Sequence, residues 1–208
     1  MSKEKPLIYV VDDDVSVCLA MTLLLKSNEY TVKVFTNAEE FLAYKHPKVQ
    51  SCLLLDIHLP GINGLALQDI MAERQLHIPI IFVTGNGDVP KSVRAIKAGA
   101  IDFLLKPFTE KTLLNAILLA NAKSKTQNRT DADIGKIKRR IKTLSPRELE
   151  VFRFVAQGML SKQIAFKRGT TLQTIKVHRG RVMQKMQAKT VTELIHFAQK
   201  AGITPPQD

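Results

Sequence analysis

The chain has 208 residues, 45% of them hydrophobic, and a formal net charge of +12, enough to build more than one compact core. Its two cysteines, Cys18 and Cys52, lie inside apolar runs without metal-ligand spacing, which excludes a disulfide framework and a zinc site. Met1–Pro6 is short and charged, and no apolar stretch reaches the length a bilayer demands, so the expectation is a cytoplasmic protein with no membrane partner.

Taken in chain order, five short apolar runs, Leu7–Val11, Val32–Phe35, Cys52–Leu55, Ile80–Val83 and Phe103–Leu105, alternate with longer amphipathic stretches. The spacing predicts helices over Val15–Ser27, Ala38–Tyr44, Gly64–Glu73, Pro90–Ala98 and Glu110–Ala122, punctuated by Asn37, Pro79 and Gly99. Repeated β-α units with apolar strands imply a five-stranded, parallel, doubly wound α/β domain over residues 1–122. Residues 123–143 are rich in Lys, Arg, Asn and Asp, while Ile134, Ile137 and Ile141 keep a helical spacing. They are expected to form a partly helical linker.

Beyond the linker the strand signal stops, and residues 144–204 are expected to form a separate all-α domain. Ser145-Pro146-Arg147-Glu148 is a capping box with proline at the first helical position, opening a helix to Gln157 before Gly158. Ser161 is expected to cap a short helix to Lys167. Gly169 breaks it, and another helix covers Leu172–Met186. Thr190-Val191-Thr192-Glu193 is a second capping box, opening a last helix to Ala201, closed by Gly202 and Pro205.

Charge divides the same way. Residues 1–121 carry 12 Lys+Arg against 13 Asp+Glu, a net −1, whereas residues 122–208 carry 19 against 6, a net +13. Clustered cations gain from counterion release on a polyanion, so nucleic acid is expected at the second domain and not at the first. A merely solvated basic face is the competing reading.

In a doubly wound sheet, ligands sit outside the carboxyl ends of the strands. There the sequence places Asp12, Asp13 and Asp14 after the first apolar run and Asp56 after the third, with Thr84 and Lys106 at two further strand ends. Crowded carboxylates call for a cation, and Mg2+ suits an all-oxygen site. Carboxylate, divalent ion, ammonium and hydroxyl together are what transfer of a phosphoryl group to an aspartate requires.

Four segments occur in order: Val10-Val11-Asp12-Asp13-Asp14, Leu55-Asp56-Ile57-His58-Leu59-Pro60-Gly61, Val83-Thr84-Gly85 and Leu105-Lys106-Pro107-Phe108. Through them the run from Leu7 to about Ala122 resembles the response-regulator receivers, which have a flavodoxin-like fold. The resemblance implies that Asp56 is the phosphoacceptor. It implies that Asp13, Asp56 and the main-chain carbonyl of His58 bind Mg2+, with Asp12 acting through a water. Thr84 and Lys106 would hold the phosphoryl oxygens, Phe103 would be the aromatic that turns inward on activation, and the Lys106-Pro107 bond would be cis. The side chain of His58 is expected to be a spectator.

In the basic half, Leu144-Ser145-Pro146-Arg147-Glu148, Lys162-Gln163-Ile164-Ala165, Thr174-Ile175-Lys176-Val177-His178-Arg179 and Met183-Gln184-Lys185-Met186 resemble the LuxR-type helix-turn-helix domains of the FixJ and NarL branch. That resemblance implies that Lys176 and Val177 face base edges, and that His178, Arg179 and Arg181, with Lys185 on the same helix, lie along the DNA. Two departures stand out: Gly180 where relatives often carry a long side chain, and Thr170 at a usually apolar turn position.

The whole chain therefore resembles a two-component response regulator, not an enzyme: a sensor histidine kinase phosphorylates Asp56, and the charged protein controls transcription on double-stranded DNA. The implied partners are that kinase, DNA, RNA polymerase and a second copy of the chain on phosphorylation. Val93, Ile96 and Lys97 are candidate members of the receiver's pairing face. For Val191, Leu194, Ile195 and Ala198 in the last helix, dimerisation and core packing both stand. A metal-dependent phosphohydrolase with a basic tail and a constitutive DNA-binding protein are the competing classes; the first lacks a separate general acid or base.

Overall fold

The computed structural model describes residues 6–85 and 89–203. Two compact units divide at Arg129 and Thr130. The first is built on a fully parallel sheet of order β2-β1-β3-β4-β5, with strands β1 Leu7–Val11, β2 Thr31–Phe35, β3 Ser51–Leu55, β4 Ile80–Thr84 and β5 Asp102–Leu105. Around it run α1 Val15–Ser27, α2 Ala38–Ala43, α3 Gly64–Glu73, α4 Val89–Lys97 and α5 Glu110–Ile141. The strands start up to one residue earlier or end one later than their apolar runs, because a terminal Ser, Thr or Asp joins the ladder without adding apolar pattern.

Alternation along each strand sorts side chains into two cores. Tyr9, Val11, Leu53, Leu55 and Phe82 pack on one face with Phe41, Leu67, Met71 and Ala95 from the helices. Ile8, Val10, Cys52, Leu54, Ile81 and Val83 pack on the other with Met21, Leu25, Leu113 and Ile117. Both cysteines are buried and free, as small hydrophobes.

Helix α5 does not stop at Ala122. It is tied to residues 49–51: Ser124 Oγ accepts from the Ser51 N–H at 3.1 Å, the Asn121 main-chain carbonyl accepts from Gln50 Nε2 at 3.2 Å, and Asn128 Nδ2 donates to the Val49 carbonyl at 2.9 Å. Asn121 and Ser124 are buried by this arrangement. From Thr130 onward the helix belongs to the second unit, where Ile137 is buried in the core and Ile141 packs beside it.

The second unit continues with α6 Pro146–Ala156, α7 Ser161–Lys167, α8 Leu172–Met186 and α9 Val191–Ala201. Val151, Phe152, Val155, Ile164, Ile175, Val182, Met186, Leu194 and Ala198 form its core. Leu194 and Ala198 are therefore core residues, while Thr192, His196, Gln199 and Lys200 are exposed on α9. Gly202 at φ +66° closes α9; Pro205 lies outside the described residues. No described helix is long and apolar enough to cross a membrane.

Capping differs from expectation in two places. Ser161 is the first residue of α7, with Leu160 at the cap position. A leucine offers no acceptor, so only the Gln163 side chain closes that end, accepting from the Leu160 N–H at 2.7 Å, and the Ser161 hydroxyl is left to accept from Arg179 Nη1 at 3.1 Å. At α9, Thr190 caps the Glu193 N–H at 3.1 Å, but the Glu193 carboxylate reaches one residue further back, to the Lys189 N–H at 2.8 Å.

Candidate functional site

The register pairs Val11 with Leu55 and Thr84 with Leu105, so the residues that follow or end these strands converge at one edge. Lys106 Nζ sits between two carboxylates, donating to Asp12 Oδ2 at 2.7 Å and to Asp56 Oδ1 at 3.4 Å. The second oxygens are also engaged: Asp12 Oδ1 accepts from the Asp14 N–H at 3.0 Å, and Asp56 Oδ2 from the His58 N–H at 2.5 Å. Asp12 is 4% exposed and Asp56 7%, so two buried carboxylates share one cation.

Burial pushes the Asp56 carboxyl above its ordinary value; the charge of Asp12 adds to this, while the His58 N–H and Lys106 oppose it. At Lys106 burial works against the ammonium, but the hydrogen bond and charge of Asp12, then those of Asp56, outweigh it and raise the pKa. The lysine is held charged where negative charge collects.

Asp13 stands one residue along with its side chain exposed, outside this bonded group. Asp14 is the N-cap of α1, accepting from the Ser16 and Val17 N–H groups at 2.8 and 3.3 Å. Its carboxylate is committed to the helix, and the gathering of four acidic side chains reduces to a buried pair with one exposed neighbour. Thr84 is fully buried, and its Oγ1 lies 3.3 Å from His58 Nδ1. The Lys106-Pro107 peptide is cis.

Phe103 is partly buried, with its ring centroid 6.2 Å from that of Phe82. It also lines an open groove of about 610 Å³ with Val89, Val93, Ile96, Lys97 and Leu105. Val89 is 71% exposed there and Val93 46%. For a metal, the carboxylates of Asp12, Asp13 and Asp56 at this edge are oxygen donors, which suits a hard divalent cation. Among the described residues no group of three or more His, Cys, Asp or Glu side chains is assembled as a cage. Such an ion would rest on one or two carboxylates, a main-chain carbonyl and outside oxygens, as Mg2+ does.

Gly64 was missed as a site residue. It opens α3, donates its N–H to the Ile57 carbonyl at 2.9 Å, and a Cβ there would lie 2.2 Å from the Asp56 carbonyl oxygen. The only sequence signal was its position at the start of a helix just downstream of Asp56.

In the second unit, α7, the turn at Gly169 (φ +57°) and α8 form a helix-turn-helix. Lys176 and Arg181 are exposed, Val177 is 43% exposed, and His178 and Arg179 are half-buried. Around Thr170 the turn is polar: a cavity of about 340 Å³ is lined by Arg147, Glu150, Arg168, Thr170, Thr174 and His178 among others. An Arg168–Glu150 ion pair of 2.9 Å ties the turn to α6. Gly180 is exposed, and a Cβ there would meet nothing, so the domain's own packing does not require glycine.

Lys185 is exposed, but its ammonium is engaged within the domain. Its Nζ donates to Glu148 Oε2 at 2.6 Å and to the Thr143 carbonyl at 3.1 Å. Glu148 is 3% exposed and also completes the capping box, accepting from the Ser145 N–H at 2.8 Å while its own N–H donates to Ser145 Oγ at 3.3 Å. The Lys185 hydrogen bond, helped by the Ser145 N–H, holds the Glu148 carboxyl below the usual glutamate value.

Comparison with known proteins agrees with both halves. Residues 8–118 match the response regulator receiver domain, and residues 142–198 the luxR family of bacterial regulatory proteins. Nodulation protein W of Bradyrhizobium diazoefficiens is 42% identical over 96% of this chain and 88% of its own length. Response regulator protein TmoT of Ectopseudomonas mendocina is 40% identical over 96% and 91%. Among solved structures, the response regulator StyR superposes with a TM-score of 0.75 at 38% identity, over 94% of this chain and 99% of that one. Full-length FixJ from B. japonicum gives 0.55 at 35%, over 97% and 99%. The chain belongs to the two-component response regulators that join a receiver domain to a LuxR-type DNA-binding domain.

Proposed function

We propose that this regulator accepts a phosphoryl group on Asp56 from a sensor histidine kinase and, once charged, controls transcription by binding specific DNA through α8. The observation that carries the reading is the buried pair Asp12 and Asp56 sharing Lys106 at the strand ends. An Asp56 oxygen attacks phosphorus, the bond from phosphorus to the kinase histidine nitrogen breaks, and its electron pair stays on that nitrogen, which takes up a proton. Lys106 neutralises the arriving charge, and Thr84 donates to a phosphoryl oxygen. Mg2+ fits Asp13, Asp56 and the His58 carbonyl, with Asp12 through water; when bound it supplies compensation of the phosphoryl charge. No catalytic turnover on an outside substrate follows from this donor set.

On the DNA side, Lys176 and Val177 are the base-facing pair, and Arg181, with His178 and Arg179, sits along phosphates. Lys185 leaves that set. The groove between α4 and β5 is the pairing face for a second copy, and Phe103, which lines it, links it to Asp56. RNA polymerase is the partner at the promoter. As domains, residues 1–122 form the receiver, 123–143 a helical connection and 144–204 the output domain.

Incubation with acetyl phosphate and Mg2+, followed by intact-protein mass measurement, tests the acceptor. Wild type is expected to gain one phosphoryl group and Asp56→Asn none; uptake by the variant sinks the assignment. Selection of bound DNA by the charged protein then reports the operator and the spacing of its half-sites.

A further inference from the structure

His58 touches the site in two ways. Its main-chain N–H donates to Asp56 Oδ2, while its imidazole Nδ1 lies 3.3 Å from Thr84 Oγ1. A threonine hydroxyl has one proton and donates to one acceptor at a time. We propose that the His58 imidazole is a latch on the receiver: it accepts the Thr84 hydroxyl proton at rest, so Thr84 must leave His58 before it can donate to a phosphoryl oxygen on Asp56. This rests on the reading of Asp56 as the phosphoacceptor.

The geometry supplies the rest of the device. Thr84 is fully buried at the end of β4, so its hydroxyl exchanges protein partners without taking up bulk water. His58 is exposed, and beside it lies a cleft of about 270 Å³ lined by Ile57, His58, Leu59, Asn63, Leu65 and Lys91. The imidazole therefore has room to swing away when Thr84 turns. Because Asp56 and His58 are two residues apart on one loop, the latch sits on the segment that carries the acceptor. His58 is thus a positioning residue that sets the threshold for activation, acting through Thr84.

The test is binding of beryllofluoride with Mg2+ to the full chain, read by 19F resonances of the bound group and by calorimetry. His58→Ala, and His58→Leu, which keeps bulk without an acceptor, are expected to lower the concentration for half-saturation by roughly three- to ten-fold, the span of one neutral hydrogen bond. In a Thr84→Ala background the same His58 substitutions are expected to change nothing, since the latch then has no bolt. Unchanged or weaker binding in both single variants overturns the latch, and so does an effect that survives in the Thr84→Ala background. Absence of beryllofluoride binding in wild type defeats the acceptor reading itself, and the latch with it.

Discussion

Replacing Lys185 by Met decides whether this lysine serves the fold or the DNA. The substitution keeps most of the apolar stem and removes the ammonium. Glu148 is then left 3% exposed with the Ser145 N–H on its Oε2. At an effective dielectric near 20, two unit charges about 4 Å apart attract by about 4 kcal/mol before desolvation is counted. The Lys185 side chain is 39% exposed and keeps part of its hydration, so the net loss is about 1–2 kcal/mol. For a unit of this size that lowers the melting temperature by about 5–10 °C. The assay is thermal unfolding of the full chain, with amide exchange read at α6 and α8.

Acid adds a second arm to the same experiment. The folded pKa of Glu148 lies below its ordinary 4.5, so the stability from its ionised form is fully present above 4.5 and is lost as pH falls through the depressed folded value. The gap between wild type and variant is expected at neutral pH and should close in that acid window. An equal melting temperature at pH 7, or a gap untouched by acid, refutes the pairing. The DNA arm is separate: a phosphate-binding lysine would take about one unit off the salt slope when removed, whereas Lys185→Met is expected to leave the slope unchanged.

Other substitutions probe the rest of the molecule. Asp56→Asn in Mg2+-free buffer is expected to stabilise the receiver by about 1 kcal/mol in urea unfolding, because it removes a carboxylate that burial penalises; a less stable variant contradicts the electrostatics. Gly64→Ala sets a Cβ 2.2 Å from the Asp56 carbonyl oxygen, so it should cost about 2–4 kcal/mol and slow phosphoryl uptake, measured on the same samples. On selected DNA, Lys176→Ala is expected to relax discrimination at one base pair by about 1–3 kcal/mol. Arg181→Ala should instead weaken all sequences alike and lower the salt slope by about one. Identical profiles for the two would remove the distinction between base reading and phosphate contact.

The receiver was legible because its chemistry sits at strand ends. An apolar run announces a buried parallel strand, and the residue just past it is placed at the ligand edge by topology alone. Asp12, Asp56, Thr84 and Lys106 all obey that rule, which is why four short segments placed them. The helix-turn-helix was legible through its punctuation, Ser145 with Glu148 and the glycine at 169. What stayed hidden were partners far apart in the chain. A single sequence carries no sign that Ser124 bonds the Ser51 N–H and Asn128 the Val49 carbonyl, so a polar stretch looked like a linker although these polar atoms hold it against the segment that leads into β3. Asp14 looked like a fourth site carboxylate for a related reason: site ligand and N-cap are written with the same residue, and only the first turn of α1 separates them.

Lys185 shows the same limit in electrostatic form. A helix with Lys176, Arg179, Arg181 and Lys185 looks like one basic face, yet at about 100° per residue Lys185, nine positions on, points to the side opposite Lys176. Lys185 points at a carboxylate that the capping box had already fixed in place: Glu148 must turn back toward Ser145 to close the helix start, and that turn carries its charge into the interior. A buried anion of this kind requires a cation. The capping motif at 145–148, readable from sequence, therefore implies an internal partner for Glu148, and α8 supplies it in Lys185. On the proposed reading, in which Arg179 and Arg181 meet phosphates and Lys185 does not, the salt slope of DNA binding is the quantity that tests the point.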